Sequence, residues 1–66
     1  MNVYVNGQPR EVAGSATVAE VIGATGESSR GIAVAVDGTV VPRARHATTL
    51  LHDGARIEIV TAVQGG

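Results

Sequence analysis

The sequence contains no cysteine, no phenylalanine, no tryptophan and a single tyrosine. Without cysteine there is no disulfide, no thiolate-ligated zinc site, no iron–sulfur cluster and no thiol nucleophile. Any sulfur chemistry involving this chain therefore takes its sulfur from another molecule. The lack of Phe and Trp leaves Val, Ile, Leu and Ala to build the core. Lysine is also missing, so all five basic side chains are arginines and the chain offers no side-chain amine for acylation. Five arginines against six acids give a net charge of −1, with neither the basic stripe nor the stacking aromatics of a nucleic-acid binder. No apolar run approaches the ~20 residues of a membrane span, and the N-terminus lacks the build of a secretory signal. The expectation is a cytoplasmic protein that engages neither nucleic acid nor membrane.

Sixty-six residues make one small domain, which buries only about 60% of its unfolded surface. Met1, Val3 and Val5 alternate with Asn2 and Tyr4, which predicts a first strand. Asn6-Gly7 is a strong hairpin signal, and Pro9 to Val12 returns as a short strand that Pro9 confines to a sheet edge. Thr17-Val18-Ala19-Glu20 fits a capping box, and Val18, Val21, Ile22 and Thr25 form one face of a short helix. Gly26 suits the left-handed position that ends it. Ile32 to Val36 is apolar on both faces and predicts an interior strand, turned by Asp37-Gly38 into Thr39–Val41, which Pro42 stops. Arg43 to His52 is mixed, with a turn of helix and either Leu50 or Leu51 reaching the core. Asp53-Gly54 precedes a final alternating strand, Arg56 to Val63. The sum is an α+β domain, a sheet with one helix on one face.

In that arrangement Ile57, Ile59 and Val63 face the helix, and Glu58, Val60 and Ala62 face outward beside Tyr4, Ala33 and Ala35. The outer face should then carry small apolar residues rather than charges, which makes it a candidate docking surface. His46, His52 and Asp53 lack metal-ligand spacing and are expected as solvated loop residues. Ser28-Ser29 has no nucleophile-elbow glycines, and no Gly-rich phosphate loop precedes the helix. Nothing assembles an active site, so no catalytic residue, metal or bound cofactor is expected.

What remains is the end of the sequence, Gly65-Gly66. With glycine at roughly 7% of residues, such a pair closes a chain by chance about 0.5% of the time. A carboxylate becomes an electrophile when adenylation by ATP turns one oxygen into a leaving group. Gly65 and Gly66 suit a tail threading into another protein's nucleotide site, because they have no side chains to clash. Three extended residues reach only about 10 Å, so the folded body has to dock close by. The expected division is a domain over residues 1–63 and a tail over 64–66.

The sequence resembles the ThiS family of sulfur carriers, which have the ubiquitin-like β-grasp fold. The likeness rests on Val36-Asp37-Gly38-Thr39-Val40-Val41-Pro42-Arg43, on Leu51 to Val60 and on Val63-Gln64-Gly65-Gly66. Two positions depart from the family pattern: His46 replaces a common aromatic, and Ala55 a common acid. Both fall in an expected loop, where partner contacts would feel them. The resemblance implies a mixed sheet of four to five strands with one main helix. It also implies that an E1-like adenylyltransferase of the ThiF type activates the Gly66 carboxylate with Mg-ATP. A cysteine desulfurase or other persulfide donor would supply sulfur, leaving a thiocarboxylate that thiazole synthase (ThiG) consumes in thiamine biosynthesis. Gly66 would be the reacting residue and Gly65 would give access to it. The chain would be a protein cosubstrate, not an enzyme. Alternatives are a carrier of the molybdopterin synthase small-subunit type and a ubiquitin-like protein modifier.

Overall fold

A computed structural model describes residues 1–26 and 31–61. Strands β1 (Asn2–Val5) and β2 (Gln8–Glu11) precede helix α1 (Val18–Thr25), then β3 (Ile32–Val36), β4 (Thr39–Val41), a 3₁₀ turn at Arg43–Arg45 and β5 (Arg56–Thr61). They form one five-stranded sheet in the order β2-β1-β5-β3-β4. The β1–β5 pair is parallel and the other three are antiparallel, so the sheet is mixed as expected for a β-grasp domain.

Two tight hairpins set the registers. Asn6 and Gly7 have φ of 51° and 83°, and Asp37 and Gly38 have 51° and 84°. Both central positions are left-handed in each case, the type I′ geometry that matches strand twist. Pro9 sits on the edge strand β2, where its missing N–H costs no ladder bond. That strand starts at Gln8, one residue before the predicted position, and Val12 falls just outside it.

The helix is held mainly at its N-terminus. The Thr17 hydroxyl accepts from the Glu20 amide, and Glu20 Oε1 accepts from the Thr17 amide at 2.9 Å. The Val18 and Ala19 amides donate to the carbonyls of Thr49 and His46, at 3.0 and 2.9 Å. The orphan donors of the first turn are thus satisfied by the capping box and by the long connection after β4. Gly26, at φ 80°, closes the helix in the left-handed conformation. The buried face of Val18, Val21 and Ile22 packs on Val3, Val5, Val34, Ile57 and Ile59 from the sheet.

The connection from Pro42 to Ala55 departs from expectation. Leu51, not Leu50, enters the core: Leu51 is 6% exposed and Leu50 68%. His46 is not solvated. It is buried, and its Nε2 donates to the Val41 carbonyl at 3.0 Å, which fixes the end of β4. Ala55 is also fully buried, so neither family departure is a solvent-facing loop position. Ala55 packs in the core cluster with Val3, Val5 and Ile57, and His46 is bonded to the end of β4. The polar ring of His46 is tolerated there because a backbone carbonyl needs a donor.

Candidate functional site

β5 is the central strand, and its register assembles the sheet face opposite the helix. Tyr4 stands beside Arg56, Ala35 lies between Glu58 and Val40, and Ala33 stands beside Val60. Cross-strand partners project to the same side, so these residues share one surface. Tyr4 is 42% exposed, Val60 61% and Val40 69%. Ala33 is exposed and Ala35 half-buried, with Glu58 exposed between them. The expectation of a face free of charge is corrected: Arg56 and Glu58 occupy alternate outward positions of β5. The face is therefore graded, charged around Tyr4, Arg56 and Glu58 and apolar around Val60, Ala33 and Val40. The Val60–Ala33 pair lies toward the end of β5 from which the chain continues to Gly66, and Val40 flanks it in the row of Ala35 and Glu58.

Val40 and Arg56 belong to this surface although sequence reasoning did not select them. Val41 is buried, so the period of two in Thr39-Val40-Val41 already pointed Val40 outward. Arg56 follows from the same period of two, alternating with Glu58 and Val60, and the parallel register sets it beside Tyr4. Ala62, Gly65 and Gly66 lie outside the described residues. From Thr61, the five further residues to Gly66 span at most about 17 Å, so Gly66 stays within that distance of the end of β5.

A second polar cluster marks the opposite end of β5. Asp37 Oδ1 accepts from the Arg56 amide at 3.0 Å, and Asp37 Oδ2 accepts from His52 Nε2 at 2.6 Å. His52 Nδ1 faces the Asp53 carbonyl at 2.9 Å. Both ring nitrogens thus face acceptors, a pattern that only the imidazolium satisfies in full. The hydrogen bond to Asp37, followed by that to the Asp53 carbonyl, raises the His52 pKa above its ordinary 6.5. Reciprocally, the His52 bond and then the Arg56 amide hold Asp37 below 3.8. The pair latches the β3–β4 turn to the segment leading into β5. It lies at the far end of the strand from Thr61.

The pH dependence follows. His52's contribution is complete below 6.5 and fades as pH rises through its raised folded pKa. That of Asp37 is complete above 3.8 and fades as pH falls through its lowered one. The latch is therefore strongest between pH 3.8 and 6.5. An NMR titration of the His52 ring should have a higher midpoint in the wild-type chain than in Asp37→Asn. Equal midpoints would show that the contact does not persist in solution.

Among the described residues no three His, Asp or Glu side chains converge to hold a metal, and no helix is long and apolar enough to cross a membrane. The model of the ThiS family matches residues 3–66. The chain belongs to the ThiS family. A crystal structure of the thiamine biosynthesis protein ThiS from Geobacter metallireducens is 32% identical, covers both chains completely and superposes with a TM-score of 0.84. An NMR structure of a thiamine biosynthesis protein from the same organism gives 0.77 at 32% identity, over all of this chain and 88% of that one. The chain is also 35% identical, over all 66 residues, to a thiazole synthase of Paramagnetospirillum magneticum, of which it spans one fifth (20%). Family and neighbours agree on a five-stranded β-grasp domain, and ThiS family proteins are small sulfur carriers rather than catalysts.

Proposed function

We propose that the chain is a sulfur carrier for thiazole formation in thiamine biosynthesis, with Gly66 as its reacting residue. The observation that carries this reading is a family match that runs through the β-grasp body and on to Gly65-Gly66. The likeness to a thiazole synthase supports a protein of that class as the acceptor of the sulfur.

In this reading a Gly66 carboxylate oxygen attacks the α-phosphorus of ATP in an E1-like adenylyltransferase of the ThiF type, and pyrophosphate leaves. A persulfide on the sulfur donor, charged by a cysteine desulfurase, then attacks the acyl carbon and expels AMP. Reduction of the resulting acyl disulfide by a thiol releases the thiocarboxylate, which thiazole synthase consumes. Each enzyme acts on the tail while holding the body, in the cytoplasm where ATP is available. Tyr4, Ala33, Ala35, Val60 and Ala62 form the docking face, together with Val40. Gly65 keeps the approach to the carboxylate narrow.

Adenylation is reversible before sulfur arrives. With the adenylyltransferase and no sulfur donor, the chain should therefore support exchange of labelled pyrophosphate into ATP. Absence of exchange with the cognate enzyme would refute activation at Gly66. Val60→Asp should weaken adenylyltransferase binding about tenfold, as loss of an apolar interface contact does. Its melting temperature should hardly change, because Val60 is exposed. Unfolding of this variant would instead place Val60 in the core.

A further inference from the structure

We infer that Asn6 is a positioning residue that fixes the stretch of β5 leading to the C-terminal segment. The inference rests on the carrier reading above. Asn6 occupies the first position of the β1–β2 turn, at φ 51°. Its backbone amide still donates to Ile57 O at 2.8 Å, continuing the parallel ladder of β1 on β5. In a longer β1 the next bonds would link the Asn6 carbonyl to the Ile59 amide, and a later amide of β1 to the Ile59 carbonyl. The turn carries the chain away before either forms.

The side chain makes both bonds instead. Asn6 Oδ1 accepts from the Ile59 amide at 2.8 Å, and Asn6 Nδ2 donates to the Ile59 carbonyl at 3.2 Å. A carboxamide has the donor and acceptor of a peptide group, so one side chain stands in for a further ladder step. The turn alone accepts Asp or Gly at this position as readily as Asn. The clamp does not: Asp lacks the donor and sets a charge against the Ile59 carbonyl, Gly has neither group, and Gln is one methylene too long. Only Asn serves both requirements.

The clamp lies where it bears on the tail. Ile59 is followed by Val60 of the docking face and by Thr61, the last described residue of β5. On the other side β3 holds the same stretch, through Val34 beside Ile59 and Ile32 beside Thr61. Asn6 is the corresponding restraint from the β1 side. Removing it leaves the end of β5 held on one flank, so the segment carrying Gly66 leaves the body less defined in direction. Activation needs docking on the face and delivery of the carboxylate to ATP. Loss of the clamp acts on delivery.

The test compares wild type with Asn6→Gly, Asn6→Asp and the core variant Ile22→Val, which lowers stability while leaving both Asn6–Ile59 bonds in place. Each is taken through steady-state activation by the cognate adenylyltransferase with ATP, well below its melting temperature, and folding is checked by NMR. Both Asn6 variants should lose roughly tenfold or more in kcat, the scale on which misplacing a reacting group slows reaction, with KM changing much less. Faster hydrogen exchange at the Ile59 amide should accompany the loss. Ile22→Val should keep the wild-type kcat. Wild-type kcat in folded Asn6→Gly or Asn6→Asp overturns the inference and leaves the carrier reading standing. A wild-type chain that the cognate enzyme does not activate overturns the carrier reading and this inference with it.

Discussion

Deleting Gly66, or adding one residue after it, is expected to lower activation by about 10²-fold or more while leaving the fold unchanged. One residue moves the carboxylate by about 3.5 Å along an extended chain. Misplacements of about 1 Å already cost reactions of this kind as much as 10²-fold. In the extended variant Gly66 presents a peptide carbonyl in place of the acid, and a neutral amide is a far weaker nucleophile toward ATP. Stability should not respond. Among the described residues the buried core runs no further along β5 than Ile59, and the described pairing ends at Thr61, so every described contact survives both changes. Pyrophosphate release and a thermal melt on the same preparations check the two halves of the expectation. Full activation of either variant would remove the terminal carboxylate from the mechanism.

Ile57→Ala should have the opposite signature, loss of the fold and with it of everything else. Ile57 is 1% exposed on the central strand, beside Val5 on one flank and Val36 on the other. Truncating such a residue removes its transfer energy and leaves a cavity, typically about 2–5 kcal/mol. A domain below about 70 residues with one aliphatic core rarely has more than about 3–5 kcal/mol in total. The variant should therefore be largely unfolded at 25 °C by circular dichroism. Val60→Ala, three residues further along β5 and on the exposed face, should stay within about 0.5 kcal/mol of wild type in urea denaturation. A cooperative, near-wild-type melt of Ile57→Ala would contradict the assignment of the core face.

The features legible in the sequence are those fixed by neighbouring residues. Asn6-Gly7 and Asp37-Gly38 specify their turns locally, Thr17 and Glu20 their capping box, and alternation in Arg56–Val60 its inward and outward sides. The connection before β5 was less legible because its residues have no period. Leu50 and Leu51 are equally apolar, and the choice between them follows from the Leu51 amide bonding Ala16 O at 3.0 Å. His46 reads as polar and loop-bound until the free carbonyl of Val41 is placed above it. The charge on the outer face lies in that same alternation of β5, through Arg56 and Glu58. The place of Tyr4 beside Arg56 instead needs the parallel register of β1 with β5, a pairing distant in sequence. Asn6 was hidden for another reason: its role in the turn already accounted for it, and the second role needs Ile59 alongside.

The most direct test of the carrier reading is the intact mass of the chain after incubation with ATP, cysteine, a cysteine desulfurase, a thiol reductant and the cognate adenylyltransferase. The expected product is heavier by the replacement of one oxygen with sulfur. Fragmentation should place the change on Gly66, and omitting ATP should prevent it. An unchanged mass in the complete mixture, with the adenylyltransferase shown to be active, would contradict the assignment of this chain as a sulfur carrier.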